Sequence, residues 1–142
     1  MRTPEQILAE STTIAVVGAS RHLEKTAHAV PLQIRRHGWN VIPVNPYADE
    51  IWGVPCYPDL ASVPVPIDLV NVFRPSAQAT AVVRAAVAVG TKSVWLQQGI
   101  TSAEGRALAA DAGIDYVEDL CIAVVRALHH LTHQPRPGSS SP

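Results

Sequence analysis

Two rhythms of hydrophobic and polar positions alternate along this chain. Short runs of β-branched and other apolar residues close on a turn residue. Between them lie longer stretches with apolar residues at helical spacing. The first run, Thr13-Ile14-Ala15-Val16-Val17-Gly18, is apolar on both of its faces and ends in small residues, which predicts a buried strand of a parallel sheet. Four more follow: Asn40 to Val44 ending in Asn45-Pro46, Ile67 to Phe73 closed by Arg74-Pro75, Ser93 to Leu96 leading into Gln97-Gln98-Gly99-Ile100, and Asp115 to Glu118. Pro43 has no N–H for a ladder, so it should face an unpaired position.

The helical stretches carry their own punctuation. Thr3-Pro4-Glu5-Gln6 has the form of a capping box with Pro at the first helical position, and Ile7 and Leu8 supply an apolar face. A second helix carries Val30, Leu32, Ile34 and Arg35 and stops at Gly38. Pro31 predicts that it either begins near that residue or has an irregular first turn. Ser76 is expected to cap a helix running to Val89, Thr101 or Ser102 one running to Gly113, and Asp119 a last one from Leu120 to about His133. Tyr47 to Pro66 reads as a long loop in which Asp59 caps a single turn. Residues 134–142 are rich in Pro, Gly and Ser and read as a disordered tail, leaving one domain over residues 1–133. Alternation of strand and helix predicts an α/β three-layer sandwich, a five-stranded parallel sheet with helices on both faces.

Composition narrows the functional classes. With 47% hydrophobic and 16% charged residues the chain is globular, and its net charge of -1 provides no basic field for nucleic acid or an anionic membrane. Cys56 and Cys121 lie too far apart for a metal-type pair, no apolar run reaches membrane-spanning length, and there is no signal-type apolar stretch at the start. A cytoplasmic location is the expectation. His129, His130 and His133 form an HHxxH run that could clip a metal, although a His-rich helix end is the commoner meaning of such a run.

The chemistry is expected at the carboxyl ends of the strands, where open parallel sheets bind ligands. Gly18, Ala19 and Ser20 combine a strand end, a small-residue turn and a following helix, which together make an anion site. Arg21, His22, Lys25 and Arg74 offer cations, and the pair Gln97-Gln98 is not a turn former. An NAD site would show GxGxxG and an acidic end to the second strand. Gly18 is alone in its loop, and Asn45-Pro46 is neutral. A neutral end tolerates a phosphorylated ribose such as that of coenzyme A. No GxxxxGK[ST] segment is present, which excludes a P-loop nucleotide site.

Taken in order, Ala15-Val16-Val17-Gly18-Ala19-Ser20, Val41-Ile42-Pro43-Val44-Asn45-Pro46, Tyr57-Pro58-Asp59-Leu60, Asp68 to Arg74, Val94 to Gly99 and Asp119-Leu120-Cys121-Ile122 resemble the stand-alone CoA-binding domain proteins. That Rossmann-like family is similar to the N-terminal domain of the succinyl-CoA synthetase alpha subunit. The resemblance implies that Gly18, Ala19 and Ser20, with Arg21 and Lys25 nearby, hold phosphate. It implies that Asn45 and Pro46 border the adenine end, and that Phe73, Arg74, Pro75, Gln97, Gln98, Gly99 and Ile100 line the rest of the groove. Thr26 and Ala27 stand where the family has Pro-Ser, and Leu120 replaces an expected Arg.

The resemblance therefore implies a binder of coenzyme A or an acyl-CoA, without catalysis of its own. Three alternatives are the CoA-binding subunit of a split NDP-forming acyl-CoA synthetase, an NAD(P)-binding redox sensor, and a pure interaction module whose nucleotide groove is vestigial. A synthetase-type chain or a second copy of this one are the protein partners envisaged. At residue level, Gly18→Val is expected to block phosphate while sparing the fold, Arg74 to contact phosphate directly, and Cys121 to lie near the thiol of the bound arm.

Overall fold

The computed structural model describes residues 1–133; the tail expected over residues 134–142 lies outside the described residues. In chain order the elements are α1 (Pro4–Glu10), β1 (Thr13–Val17), α2 (Thr26–Arg36), β2 (Asn40–Val44), β3 (Glu50–Ile51), β4 (Val54–Pro55), a single 3-10 turn (Leu60–Ser62), β5 (Leu69–Val72), α3 (Ser76–Ala88), β6 (Ser93–Leu96), α4 (Ala103–Ala112), β7 (Asp115–Val117) and α5 (Ile122–Leu128).

Several elements begin as their residues dictate. Thr3 and Gln6 form a reciprocal capping box, with the Gln6 N–H donating to Thr3 Oγ1 at 3.3 Å and the Thr3 N–H to Gln6 Oε1 at 2.9 Å. Asp59 caps the 3-10 turn, its Oδ1 accepting from the Ser62 N–H at 2.9 Å. Ser102 caps α4 through the Gly105 N–H at 2.8 Å.

Elsewhere tertiary contacts override the local signal. Ser76 does not cap α3: Pro75 holds that position, and Ser76 Oγ instead accepts from the Thr101 N–H at 3.0 Å. Asp119 does not cap α5, which starts after Cys121; its backbone sits at φ 56 and its Oδ1 takes the Gly99 N–H at 2.7 Å. The same helix ends at Leu128, short of the histidines. The expected long loop from Tyr47 contains a small antiparallel hairpin, β3 with β4. Its turn residues Trp52 and Gly53 both have positive φ, 55 and 75, as a tight mirror-image turn requires.

The main sheet is parallel, in the order β2-β1-β5-β6-β7. β2 is an edge, which is where Pro43 can sit without breaking a ladder. Alternation along the strands sends Ile14, Val16, Leu69 and Trp95 into one core with Ile7, Ile34 and Ile122, so α1, α2 and α5 cover that face. Ala15, Val70, Val72, Val94 and Leu96 enter a second core with Val83 of α3 and Ala109 of α4. The fold is thus the α/β, Rossmann-like three-layer sandwich that the alternation predicts. The chain leaves β1 toward β2 and returns to the other side at β5, so the strand order reverses between β1 and β5, where such sheets open a crevice. Among the described residues no helix is long and apolar enough to cross a membrane.

Candidate functional site

Gly18 stands at that reversal. Its φ is +89, and a Cβ placed on it would lie 3.2 Å from the Phe73 carbonyl carbon and oxygen and 3.0 Å from Arg74 Cδ. Its N–H donates to the Val44 carbonyl at 3.0 Å, while the Phe73 N–H donates to the Val17 carbonyl at 2.9 Å. Three strand ends are therefore tied together around one residue without a side chain.

The loop that follows is closed by its own bonds. The helix of α2 runs from Thr26 straight through Pro31, which cannot donate to the carbonyl four residues back, that of Ala27. The freed Ala27 carbonyl accepts from the Ser20 N–H instead, at 3.1 Å. Ser20 Oγ accepts from the His22 N–H at 3.0 Å, and the ring of buried His28 reaches the Ser20 carbonyl at 2.7 Å. Trp52 of the hairpin turn packs beside that ring, centroids 6.0 Å apart, and donates to the His28 carbonyl at 3.1 Å. Asn45 Nδ2 donates to the Ala19 carbonyl at 2.8 Å, and Asn45 Oδ1 accepts from the Tyr47 N–H at 2.8 Å. Ser20 and Asn45 thus shape the loop, with the Ser20 N–H and both ends of the Asn45 amide engaged within the protein. The N–H groups of Ala19, Thr26 and Ala27 have no partner among the described residues, and Lys25, the residue before α2, makes no side-chain cap. An uncapped helix start beside a lysine is electropositive.

Gly18 and Asn45 divide two adjoining cavities. One, of about 420 Å³, has Ala19, Ser20 and Lys25 to Ala27 on one wall and Phe73, Gln97, Gln98 and Ile100 on the other. The second, of about 300 Å³, is mainly apolar, walled by Val17, Val44, Leu60 and the α3 residues Ala81, Val82 and Ala85. Pro46, Tyr47, Pro58 and Asp59 complete it, and Arg74 stands at its side. Arg74 is exposed, and its guanidinium is held by Gln78, with Nε donating to Oε1 at 2.8 Å. Arg21, Pro75 and Gly99 line neither cavity.

Sequence reasoning missed the α3 wall, because its Ala and Val content marks burial but not which face turns to the crevice. In the sequence Thr26 and Ala27 stand out only as departures from a motif; their unpaired N–H groups are what they contribute.

Other candidates fall away from the crevice. Cys121 precedes α5 and lines neither cavity. Burial pushes the Cys56 thiol above its ordinary range, against a smaller opposing influence of the Asn45 backbone; the thiol lies 3.5 Å from the Asn45 carbonyl. His129 pairs with Glu5 at 3.1 Å, and His133 Nε2 lies 3.2 Å from Thr12 Oγ1. No group of three or more metal-ligating side chains occurs among the described residues.

Comparison with known proteins gives a consistent picture. A family model described as a CoA binding domain matches residues 12–127. An uncharacterised protein of Bacillus subtilis is 37% identical over 124 residues, covering 87% of this chain and 92% of that one. The structure of a hypothetical protein from Pyrococcus horikoshii superposes with a TM-score of 0.85 at 32% identity, over 89% of this chain and 92% of that chain. An ADP-forming acetate–CoA ligase of Archaeoglobus fulgidus is 28% identical over 95 residues, a match spanning 66% of this chain and 14% of the ligase.

Proposed function

The chain belongs to the CoA-binding domain family, and on that premise we propose that its two-cavity crevice binds coenzyme A or an acyl-CoA without catalysis of its own. The observation that carries this is the pairing of an electropositive cavity with an apolar one across Gly18 and Asn45. The residues present fit the cofactor. Unpaired N–H groups at Ala19, Thr26 and Ala27 and the Lys25 ammonium suit phosphate. The apolar walls of Val17, Val44, Leu60 and α3 suit an aromatic base. Coenzyme A would bring a thiol, free or acylated. The amides, hydroxyls, ammonium and apolar groups of the larger cavity bind and orient; they do not form an acid–base pair.

The neutral end of β2 favours this cofactor over NAD; Asp59, the carboxylate in the neighbouring apolar cavity, is occupied as the cap of the 3-10 turn, its Oδ1 accepting from the Ser62 N–H and hydroxyl. Asn45 carries no charge, and its amide is oriented by bonds to Ala19 and Tyr47 rather than by a ligand. Calorimetric titration with coenzyme A and with NAD tests the assignment: coenzyme A should bind more tightly, and equal or reversed affinities would overturn it.

The similarity to a ligase of which this chain spans 14% supports a second reading, a subunit that presents the cofactor to a synthetase-type partner. Copurification with a larger ATP-grasp chain is its test.

A further inference from the structure

We propose that Gln97 reads a carbonyl oxygen of the pantetheine arm through its side-chain Nε2, in an orientation imposed by Asn71 and the Ile122 N–H. This rests on the coenzyme A assignment above and adds a specific recognition to it.

The orientation follows from a relay of amides. Asn71 lies on β5 opposite Trp95 and is 1% exposed. Its Nδ2 donates to the Trp95 carbonyl at 3.2 Å, so the nitrogen end of that amide is anchored by the sheet itself. The same Nδ2 lies 3.5 Å from Gln97 Oε1, a long contact, and the Ile122 N–H donates to Oε1 at 3.3 Å. Ile122 opens α5, so its N–H is one of the donors a helix start leaves without an internal acceptor. Reversing the Gln97 amide would set its NH2 against two donors and strand a buried N–H. The oxygen end therefore faces inward, and Nε2 is the end left over.

That end has no hydrogen-bond partner among the described residues, although Gln97 is only 6% exposed and lines the larger cavity. Among the described residues the buried side-chain polar atom left without a partner is Arg126 Nε; Gln97 Nε2 instead opens to the cavity surface, where its donor is free for a ligand acceptor. The wall it belongs to also carries Phe73, Gln98 and Ile100, none of them charged, whereas Lys25 and the start of α2 line the rest of the cavity. A neutral donor beside uncharged side chains suits a neutral acceptor on a hydrocarbon chain. A pantetheine arm presents such acceptors as amide carbonyls, and an acyl-CoA adds a thioester carbonyl.

Affinities of the wild type, Gln97→Met and Gln97→Glu for coenzyme A, acetyl-CoA and adenosine 3′,5′-bisphosphate decide the matter. The bisphosphate has the charges but no arm. Gln97→Glu keeps an oxygen for the Ile122 N–H but replaces the outward donor with an acceptor and adds a negative charge; Gln97→Met removes the donor without adding charge. Both should weaken coenzyme A and acetyl-CoA by about tenfold or more; Gln97→Met should leave the bisphosphate unchanged, and Gln97→Glu should weaken it less than it weakens the two cofactors. Equal losses for the two thiol cofactors place the contact at an amide carbonyl; a loss confined to acetyl-CoA places it at the thioester. Folded variants that bind both as the wild type does, or that lose the bisphosphate equally, overturn the role of Gln97 while leaving the cofactor assignment intact. If Gln97→Met fails to fold, Gln97→Glu decides by the difference between its losses for coenzyme A and for the bisphosphate, since the added charge acts on both. A wild type that binds none of the three overturns the cofactor assignment, and this inference with it.

Discussion

At Gly18 the backbone is left-handed and the Phe73 carbonyl is too close for a side chain. The requirement for glycine is therefore one of folding before it is one of binding, and Gly18→Val cannot serve as the clean binding test its place in the motif suggests. Gly18→Ala should already destabilise the protein by about 1–3 kcal/mol, since left-handed geometry alone costs an alanine about 1–2 kcal/mol. Thermal denaturation of the ligand-free protein measures it; an unchanged melting temperature would contradict this account. Arg74 is scaled down likewise. Its guanidinium is exposed and held by Gln78, so Arg74→Ala should weaken coenzyme A binding by at most about fivefold, the range of an exposed charge contact of up to about 1 kcal/mol. A hundredfold loss in calorimetry would show that Arg74 turns inward in the complex.

Asp68 performs a residue-scale task at the opposite edge of the sheet. Its Oδ2 accepts from the N–H groups of Thr12 and Thr13 at 3.0 and 2.9 Å, and Lys92 lies 3.4 Å from Oδ1. Burial is the largest single influence and pushes this carboxyl up, but the two backbone donors and the Lys92 ammonium together outweigh it and hold it below the usual range. A lowered folded-state value means stability that is present above the unfolded pKa of about 3.9 and is lost as pH falls through the folded one. Asp68→Asn should therefore cost about 1 kcal/mol at pH 7, a modest figure for a partly exposed group. Its deficit relative to wild type should shrink below about pH 4. Urea titrations of both proteins at pH 7 and pH 3 check this; a deficit equal at both would be inconsistent with a charged Asp68.

At the scale of elements, α2 carries the least expected arrangement. Pro31 neither starts the helix nor breaks it; it releases the Ala27 carbonyl to hold Ser20. In Pro31→Ala the new N–H would compete for that carbonyl, the helix would become regular, and the loop after β1 would lose part of its tether. Hydrogen exchange at the Ser20 amide should accelerate in that variant even if the helix itself is no less stable. Unchanged exchange would mean that the surrounding bonds to His28 and Asn45 suffice. The hairpin β3–β4 supports the same loop from outside through Trp52, which explains how two-residue strands persist: their turn tryptophan anchors them to His28 of α2 in addition to their own short ladder.

At the scale of the whole molecule, the crevice joins segments from both sides of the strand-order reversal. The loop after β1, the end of β2, and the loops after β5 and β6 converge there. A ligand held by all four should stabilise the fold as a unit. Coenzyme A at a hundred times its dissociation constant should add about 2.7 kcal/mol, which for a domain of this size raises the melting temperature by about 5–10 °C. Scanning calorimetry with and without the cofactor measures it, and no shift at saturation would be incompatible with binding to the native state alone.

Much of this was determined by the sequence itself. Strand and helix alternation along β1, α2, β2, β5, α3, β6, α4 and β7 implied the layered parallel sheet, because right-handed crossovers leave few other solutions. Thr3, Asp59 and Ser102 declared their caps, since a cap depends on residues three apart. Tertiary structure decided what depends on distant partners. Asp119 and Ser76 carry good capping side chains but bond to the N–H groups of Gly99 and Thr101, in the loop after β6, far from them in sequence. The face of α3 that walls the apolar cavity follows from packing, not from its nearly uniform Ala and Val content. Asn71 and Gln97 look alike in sequence, two amides near strand ends. Only the register of β5 against β6 sets them on one face, and only the start of α5 between them turns the Gln97 donor outward. Periodicity is local and can be read along a chain; register and docking are set by long-range packing, and this site is built from them.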